Sequence, residues 1–160
     1  MATWRDVEDS APEFAETAKA LFDVHKHKTL ATVRRDGSPR ISGTEMVFMD
    51  GQIWLGAMPG SRKAKDLKAN PRFAIHGPTV DPDGDWSGDV KLSGRAVEES
   101  DPAQKKAMMA AGGNDEQTGD DFHLFRADIT EVVLTRLGDP ADHLDIQLWM
   151  PGKPLRRFKR

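Results

Sequence analysis

Two Asp-Gly pairs in the first third of the chain, at residues 36–37 and 50–51, restrict its fold more than any other feature. An Asp-Gly pair between two strand-like runs is a strong indication of a β-hairpin, because these residues accept the positive φ of a tight turn. The flanking runs 29–35, 39–49 and 52–57 therefore predict three consecutive antiparallel strands.

A helix is predicted before these strands, from about residue 11 to residue 24. Residues 10–13, Ser-Ala-Pro-Glu, match a capping box with a proline early in the first turn. The apolar residues that follow recur at helical spacing and predict a face that packs on the core. These residues are Phe14, Ala18, Leu21 and Phe22.

The remainder of the chain alternates between strand patterns, short helices and turn-rich segments. Strands are expected at residues 72–76, 90–98, 122–137 and 143–150, helices at 61–70 and 101–111, and surface loops at 77–89 and 112–121. Strands joined by hairpins, with few helices, predict a mainly β fold whose antiparallel sheet curls into a barrel. We expect a single domain over residues 1–160.

Composition excludes several classes of protein. With 38% hydrophobic and 31% charged residues, the chain has no apolar run long enough to span a bilayer. Its N-terminus lacks the basic start and apolar stretch of a secretory signal, which predicts a cytoplasmic protein. The absence of cysteine excludes disulfides, thiolate catalysis and cysteine-ligated metals.

Charge and histidine placement argue against two further partners. The formal net charge of −3 gives no general attraction to a phosphate backbone. Basic residues do cluster between residues 153 and 160, but such a tail is usually solvated or meets a partner subunit, so nucleic acid is not expected as a partner. His25 and His27 have no acidic residue at ligand spacing, so no metal site is expected.

The segment 54–67 contains the clearest candidate site, at a predicted strand–turn–helix junction. A helix start presents unpaired N–H groups and a partial positive charge, which stabilise an anion. Ser61 adds a hydroxyl there. Arg62, Lys63 and Lys65 add positive charges, which are unfavourable at a helix N-terminus unless an anion compensates them. The segment therefore indicates either a phosphate site or solvated basic side chains, and it matches neither a P-loop nor a dinucleotide fingerprint.

Five short segments, in this order and spacing, resemble one known family. They are residues 29–32 (TLAT), 36–40 (DGSPR), 53–57 (IWLGA), 61–63 (SRK) and 70–74 (NPRFA). They resemble the pyridoxamine phosphate oxidase-like family of FMN-binding split barrels, which also contains proteins that use the deazaflavin F420. The resemblance implies an antiparallel split β-barrel and a flavin-dependent oxidoreductase.

The resemblance also implies roles for individual residues. The cofactor phosphate would be held at the helix start by Ser61, Arg62 and Lys63, with Lys65 as a helper. The isoalloxazine ring would contact the second strand, and the ring and ribityl chain would contact the end of the third strand. These two sets are Arg40, Ile41 and Ser42, and Gly56, Ala57 and Met58.

Members of the family are usually homodimers whose sites lie across the subunit interface. Trp149 and the basic C-terminus are therefore expected to complete the partner's site. The arginine-histidine motif that grips the vitamin phosphate in true pyridoxamine phosphate oxidases is absent from residues 144–160, which indicates a different small-molecule substrate.

No catalytic side chain is expected, because hydride transfer is the chemistry of the cofactor itself. FMN is the expected cofactor and F420 the alternative, whose longer anionic tail would need extra basic residues such as Lys65, Lys68 and Arg72. A protein that binds the cofactor without catalysis remains the second functional interpretation, because its fold and phosphate site would look the same.

Overall fold

The computed structural model describes residues 1–79, 86, 88–112 and 121–160. Parts of the two expected surface loops, at 77–89 and 112–121, lie outside these described residues. The described residues form helices and strands in this order: α1 (Trp4–Ser10), α2 (Pro12–Asp23), β1 (His27–Val33), β2 (Pro39–Met49), β3 (Gln52–Ala57), α3 (Arg62–Ala69), β4 (Arg72–His76), β5 (Asp89–Glu99), α4 (Pro102–Ala111), β6 (His123–Leu137), β7 (Leu144–Trp149) and β8 (Arg156–Lys159).

The strands form one antiparallel sheet in the order β3-β2-β1-β4-β5-β6-β7-β8, and an additional pairing of β3 with β6 closes its first six strands into a barrel. Strand β6 makes this possible because it is 15 residues long. Its first residues pair with β3 and its last residues pair with β7. Strands β7 and β8 therefore extend the sheet beyond the barrel. The fold is mainly β, and the predicted split β-barrel is confirmed.

The barrel is filled by apolar side chains that alternate along the strands, and helices α1 and α2 pack on it. Trp4 and Phe22 are almost fully buried, and their rings lie 4.8 and 6.2 Å from the ring of Phe48. On α3, Ala64 and Leu67 join the same core. Among the described residues, no helix is long and apolar enough to cross a bilayer.

The Asp-Gly turns place β2 and β3 at the predicted residues, whereas the N-terminal helix differs from its prediction. Helix α2 covers most of the predicted range, and the four apolar residues predicted for its inner face are buried. The predicted capping box at residues 10–13 is wrong, because Ala11 is the N-cap and makes no side-chain bond. The capping box lies instead at the start of α1, between Thr3 and Asp6.

Strand β7 ends with one of the predicted site residues, Trp149. Trp149 was expected to complete a partner's cofactor site, but its side chain is only 2% exposed and packs in the main core. Its indole Nε1 donates a hydrogen bond of 2.9 Å to Ser10 Oγ. The partly exposed residues of β7 that alternate with it include Ile146 and Leu148.

Replacing Ser10 with alanine should destabilise the protein, because the buried indole N–H of Trp149 would lose its acceptor. The expected loss is about 1–3 kcal/mol of unfolding free energy. Urea unfolding of Ser10→Ala measures it, with the exposed Ser100→Ala as the control. Equal stability of the two variants would contradict the assigned hydrogen bond.

Candidate functional site

A cleft opens on the barrel where β2 and β3 separate. The β2–β3 ladder joins residues 46–49 to residues 52–55 and goes no further. Beyond it, β2 continues beside β1 as far as Pro39, while β3 continues beside β6. Because alternate peptide groups of a strand point to the same edge, residues 40–45 present backbone donors and acceptors with no partner strand on the β3 side.

The cleft has a volume of about 340 Å³, and helix α4 covers part of it. Its walls combine apolar side chains with a few polar ones, which is the usual composition of a site for a small molecule. The apolar side chains are Val47, Ala57, Met58, Met108, Met109 and Phe122, and the polar ones are His27, Thr44, Glu45 and Lys63.

Two glycines shape the floor of the cleft in different ways. A Cβ atom on Gly56 would lie 3.3 Å from Met108 Cε, so this glycine lets α4 approach the strand. A Cβ atom on Gly43 would meet nothing within 4 Å, so open space lies over this residue. Both residues line the cleft, and a bound molecule could approach the backbone closely at Gly43.

Lys63 brings a positive charge to the same cleft. Its Nζ donates a hydrogen bond of 2.9 Å to the carbonyl oxygen of Gly43, which lies across the opening on β2. Burial lowers the pKa of Lys63, and the nearby Glu45 carboxylate acts in the opposite direction. The ammonium group is therefore partly desolvated, which strengthens its attraction to an anion.

The start of α3 lacks the side-chain bonds that usually satisfy a helix N-terminus. Ser61 is the N-cap, yet its hydroxyl makes no capping bond. Its Oγ is buried and has no hydrogen-bond partner among the described residues. The first turn contains no acidic residue. A buried hydroxyl, the N–H groups of a helix start and a nearby lysine are together suited to an anion.

A buried ion pair fixes α3 against the barrel. Arg40 Nε donates to Asp66 Oδ2 at 2.6 Å, and Thr32 Oγ1 donates to the same oxygen at 2.9 Å. Burial alone would raise the pKa of Asp66, but the hydrogen bonds from Arg40 and Thr32 and the charge of Arg40 lower it below its ordinary value. The pair joins α3 to β1 and β2, and so it positions Lys63 and the helix start.

The structure brings most of the predicted site residues to this region. Four of them line the cleft directly: Gly56, Ala57, Met58 and Lys63. Ser61 and Arg62 lie at the start of α3 beside it. Ile41 is two residues before Gly43 on β2 and is 74% exposed.

The other predicted residues have different positions. Arg40 turns toward Asp66, and the half-buried Ser42 points to the same side of β2 as Arg40. Lys65 is exposed on α3. The buried Trp149 is not among the residues that line the cleft.

Sequence reasoning missed part of the lining. A glycine inside a predicted strand, Gly43, is a signal of close approach that could have been used. Strand alternation predicts three more lining residues once the cleft is known to lie on the outer side of β2. They are Glu45 and Val47 on β2, and His27, which pairs with Glu45 from β1. Met108 comes from a helix distant in sequence, and no local pattern places it there.

The six-stranded antiparallel barrel, with two strands that extend beyond it, defines a split β-barrel protein. A family profile described as pyridoxamine 5′-phosphate oxidase matches residues 14–136, and the chain belongs to this family. No curated protein matches the chain.

Solved structures with similar folds have low sequence identity. A protein of unknown function from Agrobacterium tumefaciens has a TM-score of 0.61 and 19% identity over 76% of this chain, which spans only 56% of that protein. A protein related to general stress protein 26, from Clostridium acetobutylicum, has a TM-score of 0.60 and 18% identity over 92% of this chain and 94% of its own. An F420 reductase has a TM-score of 0.55 and 21% identity over 71% of this chain and 94% of its own. These similarities show the fold.

The ion pair of Asp66 predicts a specific dependence of stability on pH. Because the pKa of Asp66 is lowered by folding, its contribution is complete above its ordinary value of 3.8 and is lost as the pH falls below that value. The stability difference between the wild type and Asp66→Asn should therefore shrink as the pH falls from neutral into this range.

Urea unfolding at a series of pH values measures this difference. The exposed Asp9→Asn makes the same charge change and serves as the control. A difference for Asp66→Asn that stays constant at all pH values would contradict the ion pair.

Proposed function

We propose that the cleft and the start of α3 bind the phosphorylated flavin FMN, and that the protein is an oxidoreductase acting on a small organic substrate. The observation that carries this proposal is the buried hydroxyl of Ser61, which has no partner among the described residues and lies at a helix start beside the cationic Lys63. Membership of the pyridoxamine 5′-phosphate oxidase family supports it.

The residues at the helix start fit a phosphate monoester. Such a group offers acceptor oxygens to the Ser61 hydroxyl and to the first-turn N–H groups, and its negative charge compensates Arg62 and Lys63. Lys65, one turn along, could add a further charge from the exposed side of α3. The unpaired hydroxyl is the strongest of these arguments, because buried polar groups are normally hydrogen-bonded.

The cleft fits a flat heteroaromatic ring. Peptide groups of residues 40–45 that lack a partner strand supply donors and acceptors for the polar edge of such a ring. The open space over Gly43 permits close contact with the backbone. Val47, Met58 and Phe122 supply apolar surface for the ring faces. A ring bound here would share the cleft with Lys63. Because Lys63 also belongs to the first turn of α3, one molecule could reach both the cleft and the helix start.

When bound, the cofactor supplies hydride transfer, and the protein supplies placement and a suitable environment. In this chain, α3 holds the phosphate and the Arg40–Asp66 pair keeps α3 in place. The apolar side chains on α4, including Met108, exclude water from the cleft. Peptide N–H groups of β2 orient the ring.

The choice between FMN and F420 depends on charge around α3. The long anionic tail of F420 would need extra cations, and Lys68 is already paired with Glu98 at 2.8 Å. Lys65 and Arg72 are exposed and remain as candidates. FMN needs neither, so we propose FMN, with F420 as the alternative suggested by the similar fold of an F420 reductase.

We also propose that a second copy of the chain completes the site. Ile41 and Met58 are each 74% exposed beside the cleft, and large apolar side chains at such positions are commonly covered by a partner. A homodimer would cover them and supply further residues to each cofactor, on the side away from the barrel.

Replacing Lys63 with alanine should weaken FMN binding about 10- to 150-fold, the cost of one charge-assisted contact. Riboflavin lacks the phosphate, so its weaker affinity should change little. Titration of flavin fluorescence with both ligands measures the two constants.

Lys91→Ala makes the same charge change on the exposed side of β5 and is the matched control. Loss of riboflavin affinity equal to the loss of FMN affinity would contradict a phosphate contact for Lys63. Tight F420 binding without FMN binding would replace FMN by F420.

Bound FMN should be reduced by a nicotinamide donor and reoxidised by a small organic acceptor faster than free FMN in the same solution. The reason is that the cleft positions the ring and excludes water. Anaerobic stopped-flow absorbance measures both half-reactions. Rates equal to those of free FMN, for every donor and acceptor tried, would favour a protein that binds the cofactor without catalysis.

A further inference from the structure

A second cavity lies between helix α2 and the part of the sheet that extends beyond the barrel. It has a volume of about 530 Å³. Its lining includes the start of α2 and side chains from β6, β7 and the C-terminal segment. No residue that lines this cavity also lines the cleft described above, so the two cavities are separate. The volume is in the range of sites that bind small molecules.

Two arginines face this cavity, and neither has an acidic partner in the part of the chain that the structure describes. Arg136 lines it, and the Nε of Arg136 is buried with no hydrogen-bond partner among the described residues. Arg157 lines it from β8 and forms no ion pair in the described part of the chain. Asp145 lies opposite Arg136 in the β6–β7 ladder, but no ion pair joins the two. A buried guanidinium N–H without an acceptor costs free energy, which favours a bound molecule that supplies an acceptor to Arg136.

Strand register brings the polar groups together. Gln147 of β7 pairs with Arg157 of β8 on one side and with Leu134 of β6 on the other. Residues directly opposite each other in a ladder point to the same face, so Gln147 and Arg157 are neighbours on the cavity wall. The amide of Gln147 can donate beside the two guanidinium groups.

Apolar groups form one part of the lining, next to the polar side chains of Ser10 and Thr17. Phe14 and Leu155 contribute side chains, and Ala11 and Pro12 form the start of α2. Glu13 adds one negative charge at the rim, against the two positive charges of the arginines. The lining residues therefore carry a net positive charge and also include an apolar surface.

We propose that this cavity binds a small organic carboxylate with an apolar body. The planar fork of a guanidinium matches the two oxygens of a carboxylate, and Arg136 and Arg157 supply two such forks. A carboxylate would give Arg136 Nε an acceptor, which no other described residue supplies. The apolar body would lie against Phe14 and Leu155. A bare inorganic anion would leave the apolar side chains of Phe14 and Leu155 without a contact.

Benzoate is the probe for this site, and isothermal titration calorimetry of the full chain measures its binding. Benzyl alcohol has the same ring without the charge, and inorganic phosphate has charge without the ring. We expect benzoate to saturate one site and both comparison compounds to bind at least about tenfold more weakly. No benzoate binding at about 10 mM would overturn the proposal, and so would phosphate binding as tight as that of benzoate.

Arg157→Gln should weaken benzoate binding about tenfold or more, because one charge-assisted contact is lost. Arg156→Gln is the matched control: it makes the same charge change on the same strand, but its guanidinium packs on the ring of Phe158 at 4.8 Å. Arg157 is exposed, so its replacement leaves the core intact. Equal weakening by both variants would show a general charge effect and would overturn the proposal.

Arg136→Gln provides the second test within the cavity. It should also weaken benzoate binding, and thermal unfolding without ligand checks that the variant is folded. In the wild type, benzoate should protect the Arg136 Nε–H from solvent exchange in nuclear magnetic resonance spectra. A folded Arg136→Gln variant with unchanged benzoate affinity would overturn the assignment of Arg136 to the site.

Discussion

The pairing of β3 with two different strands determines where the candidate cleft lies. Barrel closure needs β3 beside β6, while the tight Asp-Gly turn holds the start of β3 beside β2. Strand β3 cannot stay beside β6 and also pair with β2 along all 11 residues of β2. The β2–β3 ladder therefore ends, and the two strands separate. The candidate cofactor cleft is the space that this separation leaves, and its exposed peptide groups follow from it. The site is thus a geometric consequence of closing the barrel.

The start of α3 depends on a contact made elsewhere on that helix. Lys63 and Asp66 are three residues apart on an eight-residue helix, so the ion pair of Asp66 with Arg40 also fixes the direction of the Lys63 side chain. Arg40 lies on β2, the same strand that lines the cleft. Strand β2 therefore contacts α3 through the Arg40 side chain, and it lines the cleft with the edge that has no partner strand. In this way β2 holds the start of α3 and the cleft, the two parts of the proposed cofactor site, in a fixed relation.

Local signals in the sequence predicted the elements around the site well. The Asp-Gly turns set the bounds of β2 and β3, and Pro71 set the end of α3. Helix α1 and strand β8 were missed, because seven and four residues are too few for a periodic pattern. Arg40 was assigned to the cofactor ring, but its partner Asp66 is 26 residues away and no local pattern reveals it. The position of Met108 over Gly56 likewise depends on how α4 packs.

Strand β8 has a further consequence for the behaviour of the protein in concentrated solution. It forms the outer edge of the sheet extension, where unpaired peptide groups could join the strand of another molecule. Three of its four residues, Arg156, Arg157 and Lys159, are basic. Two such edges would bring like charges together, which opposes their pairing. The basic C-terminus thus protects an exposed strand against uncontrolled growth of the sheet from one molecule to the next.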